Sequence, residues 1–224
     1  MLKAVVFDVD GTLLDTRELI RLGYVETLRA HGFTKEAEAF EIGTLSKPIK
    51  ECYRQMVGEK LSEELLADML KYHEDLQNKS VSSIMAYEGL EDILAALERR
   101  KLMVGIFTSG SLWHVQRNFK HVGVAPDEVF DAIVTSDDHT SRKPAPDGIL
   151  LCLKRLGDVR PDQIVMVGDH AADIQAGRAA GARATIGLLH GLGTRKELQE
   201  ASADYLIPSL GELLATLDII EHDD

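Results

Sequence analysis

The sequence has few cysteines and no long apolar run, and each shortage excludes a class of protein. Its 224 residues include two cysteines, Cys52 and Cys152, which lie far apart in sequence and indicate reduced, buried thiols rather than a disulfide framework. No segment approaches the roughly 20 apolar residues that span a bilayer, so we expect no membrane partner. The apolar start reaches Asp8 too early for a signal peptide. These features predict a cytoplasmic protein.

Basic residues are also scarce, which bears on the partners the protein can have. The chain has 25 basic and 37 acidic side chains, a net charge of -12 and a pI near 5.1. Because nucleic acids attract basic surfaces, nucleic acid is not expected as a partner. The hydrophobic share of 45% is that of a globular protein. A chain of this length buries roughly 70% of its unfolded surface, so it needs no disulfide or structural metal to fold.

Short apolar runs alternate with longer amphipathic ones over most of the chain. This alternation is typical of an α/β protein with a doubly wound parallel sheet covered by helices. We predict strands at Ala4–Val9, Met103–Thr108, Asp131–Thr135, Ile164–Val167, Ala184–Leu188 and Tyr205–Ile207. Helices are predicted near Leu90–Arg100, Leu112–His121, Ile149–Leu156, Ala171–Ala180 and Leu210–Ile220.

One stretch breaks the alternation and predicts a second domain. Between residues 16 and 84 no convincing strand pattern is present. Apolar positions three and four apart instead predict helices at Arg17–His31, Lys47–Val57 and Ser62–Lys79, the last with Ser62 as its N-cap. We therefore expect an α/β core made of residues 1–15 and 85–224, and a small all-α domain made of residues 16–84.

Two acidic residues end the first predicted strand. Asp8 and Asp10 are two residues apart, so both side chains lie on the same face of the strand. Carboxylates roughly 6–7 Å apart repel by about 2–3 kcal/mol at an effective dielectric constant near 20. A bound cation, or a proton on one of the two groups, would relieve that repulsion. A turn at Asp10-Gly11 is the alternative, and it accounts for Asp10 but not for Asp8.

Three further polar groups follow predicted strands. Hydroxyls and amides from Thr108 to Ser111 open a helix and could bind an anion, although an N-cap would look the same. Lys143 lies in a loop that Pro144 and Pro146 make rigid, where a solvated lysine is the alternative. Asp169 and Asp173 are one helical turn apart, and Asp169 alone could be an N-cap. A doubly wound sheet would gather all of these groups at one edge, where they suit Mg²⁺ and a phosphate.

The combined motifs resemble the haloacid dehalogenase superfamily. They are Asp8-x-Asp10-Gly11-Thr12, Thr108-Ser109, Lys143-Pro144 and Gly168-Asp169-x-x-x-Asp173. The resemblance is greatest to the branch of phosphoglycolate phosphatase and β-phosphoglucomutase-like enzymes, which have a Rossmann-like core and an α-helical cap after the first motif. It implies a hydrolase of phosphoric monoesters that acts on a small phosphorylated metabolite, similar to phosphoglycolate or a sugar phosphate.

The resemblance also implies a catalytic role for each motif residue. Asp8 would be the nucleophile that carries the phosphoryl group as an aspartyl-phosphate. Asp10 would protonate the leaving oxygen and then deprotonate water. Thr108, with Ser109 and Gly110 beside it, would bind phosphoryl oxygens. A further residue, Lys143, would neutralise charge on the phosphoryl group and on the nucleophile.

The implied cofactor is Mg²⁺, with four aspartates assigned to its site. Asp8 and Asp169 would bind through their carboxylates and Asp10 through its backbone carbonyl. Asp173 would bind directly or support the site from outside. His170 stands where the family usually has Ser or Thr, which is a departure from the pattern.

The helical domain would supply the substrate contacts and decide the outcome of the reaction. Gly43 and Lys47 are the candidates in the loop up to Pro48, although a solvated lysine is an equal interpretation of Lys47. Ile20 occupies the position of a histidine in the mutase-like relatives, which favours hydrolysis over phosphoryl transfer. A phosphomutase and a non-catalytic phosphate-binding regulatory module remain the alternatives. The protein is expected to be a monomer or a homodimer.

Overall fold

The computed structural model describes residues 1–42, 48–138 and 140–222. Eight strands are present there: β1 Ala4–Phe7, β2 Leu14–Asp15, β3 Met85–Ala86, β4 Met103–Phe107, β5 Ala132–Val134, β6 Ile164–Gly168, β7 Ala184–Leu188 and β8 Tyr205–Ile207. The α-helices of the same residues are α1 Arg17–Ala30, α2 Thr34–Glu38, α3 Ile49–Val57, α4 Glu63–Lys79, α5 Leu90–Arg99, α6 Leu112–His121, α7 Pro126–Val129, α8 Asp147–Arg155, α9 Ala171–Ala180, α10 Arg195–Glu200 and α11 Leu213–His222.

Six of these strands form a parallel sheet, which confirms the predicted fold class. Their order is β5-β4-β1-β6-β7-β8, and every neighbouring pair is parallel. The chain therefore winds outward from β1 in both directions, first through β4 and β5 and then through β6 to β8. In such sheets ligands bind at the carboxyl edge, beside the strand where the winding direction reverses. Here that strand is β1.

The first strand is shorter than predicted, and a small ribbon beside it was not predicted. β1 ends at Phe7 because the chain then folds into a turn, in which the amides of Leu13 and Leu14 both donate to the Val9 carbonyl. β2 and β3 pair antiparallel in a ribbon of two residues each. Such short strands carry no periodicity that a sequence pattern could reveal.

The chain divides into two compact units. One comprises Met1–Asp15 and Met85–Asp224, and the other comprises Thr16–Ile84. In the first unit the sheet packs against α8 and α9 through a buried cluster that includes Val6, Ile149 and Met166. Parallel strands covered on both faces bury nearly all their side chains, which explains the continuous apolar runs.

The second unit is helical in its described residues and has its own core. Leu28, Tyr53 and Met69 are among its buried side chains. Helix α4 begins after Ser62, whose hydroxyl accepts a hydrogen bond from the Leu65 amide at 3.1 Å, which confirms the predicted N-cap.

Neither Cys52 nor Cys152 is in a disulfide, and each is less than 5% exposed, so the prediction of reduced, buried thiols is confirmed. Among the described residues, no helix has the length and apolar character needed to cross a bilayer.

Candidate active site

The site begins where β1 ends, at Asp8. The Lys143 Nζ atom lies 2.7 Å from Asp8 Oδ1 and 2.7 Å from Asp173 Oδ1. The lysine side chain is only 6% exposed and also lies over the Phe107 ring. Burial alone would lower the pKa of Lys143, but the Asp173 and Asp8 carboxylates outweigh it and raise the pKa. Lys143 is therefore a fixed ammonium group that bridges two carboxylates, and not a solvated loop lysine.

Asp173 holds the start of α9 as well as the lysine. Its Oδ2 atom accepts a hydrogen bond from the His170 amide at 3.0 Å, while its Oδ1 atom faces Lys143. His170 is the N-cap of the helix, because its Nδ1 atom accepts from the Ala172 amide at 3.4 Å. The alternative of Asp169 as N-cap is therefore wrong. His170 caps the helix with a ring nitrogen, an acceptor role that the hydroxyl of a Ser or Thr can fill.

Asp169 lies between two loops that fix its orientation. Its Oδ1 atom accepts from the Thr12 hydroxyl at 2.8 Å, and its Oδ2 atom accepts from the Leu192 amide at 2.7 Å. A Cβ atom added at Gly11 or Gly191 would overlap the Asp169 carboxylate. Only glycine therefore allows both loops to approach this side chain so closely.

The second motif forms a turn beside the other aspartate. The Thr108 hydroxyl accepts a hydrogen bond from the Gly110 amide at 3.1 Å, and Ser111 caps α6. A Cβ atom built on Gly110 would lie 3.6 Å from Thr108 Oγ1 and 3.9 Å from Asp10 Oδ2. The carboxylate of Asp10 and the hydroxyl of Thr108 therefore both lie beside Gly110. Ser109 is exposed in the same turn.

The acidic side chains of the site have the donor set for a divalent cation. Carboxylate oxygens of Asp8, Asp169 and Asp173 all lie within 4.8 Å of one another. Burial raises the pKa of Asp8 well above its usual range, and the two neighbouring carboxylates act in the same direction against Lys143. Burial and Asp173 raise the pKa of Asp169 to about 6. Buried carboxylates this close to one another repel when all of them are ionised. A bound Mg²⁺, a hard cation that prefers oxygen ligands, would offset that repulsion, so these residues fit a magnesium site.

The structure brings most of the predicted site residues to the carboxyl edge of the sheet. Asp8 and Thr108 follow the central strands β1 and β4, and Asp169 follows β6. Within the described residues, the Asp10 carboxylate is not part of the acidic cluster. Binding of a metal by its backbone carbonyl stays a prediction. The other two candidates, Gly43 and Lys47, lie outside the described residues.

Sequence reasoning missed the part played by the loop after β7. No role was predicted for Leu192, whose amide donates a hydrogen bond to Asp169. A backbone amide has no signature in a sequence. The one signal in the sequence was the pair of glycines at 191 and 193, because glycines so placed are typical of a backbone that packs closely against another part of the protein.

Comparisons with known proteins agree with this geometry. The model of the haloacid dehalogenase-like hydrolase family matches residues 5–186. The chain is 31% identical over 213 residues to pyrophosphatase PpaX of Bacillus velezensis, and the match covers 94% of each chain. The chain therefore belongs to the haloacid dehalogenase-like hydrolases, which confirms the resemblance, and it is a phosphatase-type enzyme of that family.

Solved structures share the fold over nearly the whole length. CbbY from Rhodobacter sphaeroides in complex with phosphate has a TM-score of 0.80 and 27% identity, and the match covers 97% of this chain and 100% of that one. A mutant of CbbY in complex with xylulose 1,5-bisphosphate has a TM-score of 0.78, 27% identity and coverage of 95% and 96%. A hydrolase from Pseudomonas syringae has a TM-score of 0.81, 26% identity and coverage of 98% and 99%.

Proposed function

We propose that this protein is a Mg²⁺-dependent phosphatase that hydrolyses a small phosphorylated metabolite through an aspartyl-phosphate on Asp8. The observation that carries the proposal is the position of the Asp8 carboxylate. It lies at the end of the central strand, 2.7 Å from the ammonium group of Lys143 and within the cluster formed with Asp169 and Asp173. A carboxylate, a fixed ammonium group and a cluster of acidic oxygens at one point support the proposed roles of nucleophile, charge stabiliser and cation site.

In the first half of the reaction, an oxygen of Asp8 attacks the phosphorus atom of the substrate. A new bond forms between that oxygen and phosphorus, while the bond from phosphorus to the leaving oxygen breaks. Asp10 gives its proton to the leaving oxygen, so that the leaving group of an ester departs as a neutral alcohol and that of an anhydride as protonated phosphate. Thr108 and the amides of its turn hold the other phosphoryl oxygens.

In the second half, water attacks the same phosphorus atom. Asp10, which has lost its proton, takes one from the water. The bond from phosphorus to Asp8 breaks, which restores the Asp8 carboxylate and releases inorganic phosphate. Lys143 stays within hydrogen-bond distance of Asp8 and stabilises its negative charge. The motif contains a second aspartate because the reaction needs one group, Asp10, that acts first as an acid and then as a base.

The cation belongs among the same acidic side chains. When bound, Mg²⁺ offsets the negative charge of the phosphoryl group and the carboxylates and orients them. Asp8 and Asp169 would hold it with the Asp10 carbonyl. Asp173 pairs one oxygen with the ammonium group of Lys143 and the other with the His170 amide, so its negative charge is already offset by a cation. The partners of Asp169, the Thr12 hydroxyl and the Leu192 amide, are neutral donors, so we assign Asp169 to the metal and Asp173 a supporting role.

The substrate class is a small phosphate ester or anhydride. The resemblance to the branch of phosphoglycolate phosphatase and β-phosphoglucomutase-like enzymes favours compounds similar to phosphoglycolate or a sugar phosphate. Inorganic pyrophosphate is a second candidate, because a relative 31% identical to this chain is named a pyrophosphatase. CbbY, which has been solved with phosphate and with xylulose 1,5-bisphosphate, supports a phosphorylated sugar. A panel of phosphoglycolate, sugar phosphates, nucleotides and pyrophosphate would rank these candidates.

The proposal is tested by Asp8→Asn, assayed with an aryl phosphate. An asparagine oxygen can still accept from Lys143, so the fold should be kept while the nucleophile is lost. We expect kcat to fall by about a thousandfold or more. The control is Asp131→Asn, which changes a carboxylate bound to the Val104 amide at the start of β4 and should leave kcat unchanged. Asp8→Asn activity within tenfold of the wild type would reject the nucleophile.

Metal removal tests the cofactor in the same assay. EDTA should abolish turnover and added Mg²⁺ should restore it. Ca²⁺ should restore little, because its longer bonds and higher coordination number misalign the reacting groups. Full activity without metal would reject the cofactor, and wild-type protein that binds phosphate without turnover would favour a regulatory module.

A further inference from the structure

Two aromatic rings stack beside the site without being part of it. Tyr87 lies between β3 and α5, and His190 follows β7, 103 residues further along the chain. Their ring centroids are 3.8 Å apart with an interplanar angle of 10°. The Tyr87 hydroxyl also donates a hydrogen bond to the His190 carbonyl oxygen at 3.2 Å. Both residues are half-buried.

The stack is bonded to the turn after β1. The His190 Nε2 atom lies 3.2 Å from the Thr12 carbonyl oxygen. Because a carbonyl oxygen only accepts, the ring carries a proton on Nε2 and donates it. The Tyr87 amide donates to the Leu13 carbonyl oxygen at 3.1 Å. Consecutive peptide carbonyls of the turn are therefore held by the two stacked residues.

The stack joins the turn after β1 to the loop after β7, and each of these two segments supplies one hydrogen bond to Asp169. Thr12, whose carbonyl accepts from His190, donates its hydroxyl to Asp169 Oδ1. Leu192, two residues after His190, donates its amide to Asp169 Oδ2. The two donors come from chain segments about 180 residues apart, and Tyr87 with His190 joins those segments directly.

We propose that Tyr87 and His190 are positioning residues that set the orientation of Asp169 and thereby the affinity of the site for Mg²⁺. The inference rests on the proposed function, since it takes Asp169 as a ligand of the metal. The two residues act through Thr12 and Leu192, which make the hydrogen bonds to the carboxylate. Loss of such supporting contacts typically weakens metal binding by about 10–100-fold.

The test measures Mg²⁺ binding directly, by calorimetry on the whole protein without substrate. Tyr87→Ala and His190→Ala should each raise the Mg²⁺ dissociation constant by about tenfold or more. At saturating Mg²⁺ their kcat should stay within about threefold of the wild type, because no reacting group is lost. Tyr87→Phe keeps the stack and loses one hydrogen bond, so its effect should be smaller.

Two controls separate positioning from general packing. His190→Gln keeps a donor where Nε2 lies and should recover part of the affinity that His190→Ala loses. Phe130→Leu removes a buried ring that packs against Phe119, away from this stack, and should lower the melting temperature without changing Mg²⁺ binding. Unchanged Mg²⁺ affinity in Tyr87→Ala and His190→Ala would overturn the inference alone. Wild-type protein that binds no Mg²⁺ would instead overturn the proposed function, and the inference with it.

Discussion

Asp169 is a carboxylate that the protein buries and then surrounds with hydrogen-bond donors. Burial raises its pKa to about 6 against the hydrogen bonds from Leu192 and Thr12, which lower it. A buried carboxylate that resists ionisation lowers the stability of the metal-free protein at neutral pH. The native state binds this proton more tightly than the unfolded chain, so this contribution to stability falls as pH rises between 3.8 and about 6. A divalent cation removes the penalty, because it stabilises the ionised form.

The affinity for Mg²⁺ should therefore depend on pH in a defined window. Below pH 6 the Asp169 carboxyl holds a proton that must leave before the metal binds. We expect the apparent dissociation constant to rise by about tenfold for each pH unit below this value, if one proton is displaced. Calorimetry in buffers from about pH 5 to pH 8 would measure it. An affinity that stays flat across this range would contradict the assignment of Asp169 to the metal.

At the level of elements, the sequence predicts the strands well where an apolar run meets a polar or rigid residue. β8 ends at Ile207 as predicted, since Pro208 follows it. The polar ends of β1, β4 and β6 could be predicted to meet, because parallel strands share one carboxyl edge. The contacts of the loop after β7 could not be predicted, since they depend on backbone amides brought in from a distant part of the chain.

Glycine substitutions can test whether the turn after β1 determines the geometry of the site around Asp169. Gly11 has a φ of 81° and packs against the Asp169 carboxylate, so Gly11→Ala adds both backbone strain and a clash. Gly123, after α6, has a φ of 82° and nothing within 4 Å of an added Cβ atom, so Gly123→Ala adds the strain alone. Each change should cost roughly 1–2 kcal/mol of stability from the backbone.

Activity should separate these two glycine variants. Melting temperatures should fall in both, whereas Mg²⁺ affinity and kcat/KM should fall by more than about tenfold only in Gly11→Ala. Equal activity in both proteins, measured below their melting temperatures, would show that the close approach of the turn to Asp169 is not needed.

At the scale of the molecule, an acidic protein has to bind an acidic substrate. The net charge of -12 disfavours the approach of a phosphate. The fold offsets this repulsion locally, because Lys143 and the proposed cation site lie together at β1, the strand where the winding direction reverses. We therefore expect phosphate to bind at this edge of the sheet, although the overall charge of the protein is unfavourable. The helical unit has its own core, and its role as a cap stays a prediction.

In the proposed reaction, the phosphoryl group on Asp8 can pass either to water or back to a sugar. In a mutase the aspartyl-phosphate must be kept from water until the intermediate rebinds, which requires gating. Mutase-like relatives are expected to link closure to catalysis through a histidine at the position of Ile20. Ile20 packs against the core of the helical unit. Its aliphatic side chain can neither donate nor accept a proton. We therefore expect water to discharge the phosphorylated Asp8.

The distinction is measured with β-glucose 1-phosphate and a trace of the bisphosphate activator. Inorganic phosphate should appear faster than glucose 6-phosphate, and Asp8→Asn should form neither, which assigns both products to the same nucleophile. Formation of glucose 6-phosphate that outruns phosphate release would identify a mutase. In that case another group would have to supply the gating that Ile20 cannot, because exclusion of water from the aspartyl-phosphate is what separates the two outcomes on an otherwise identical set of aspartates.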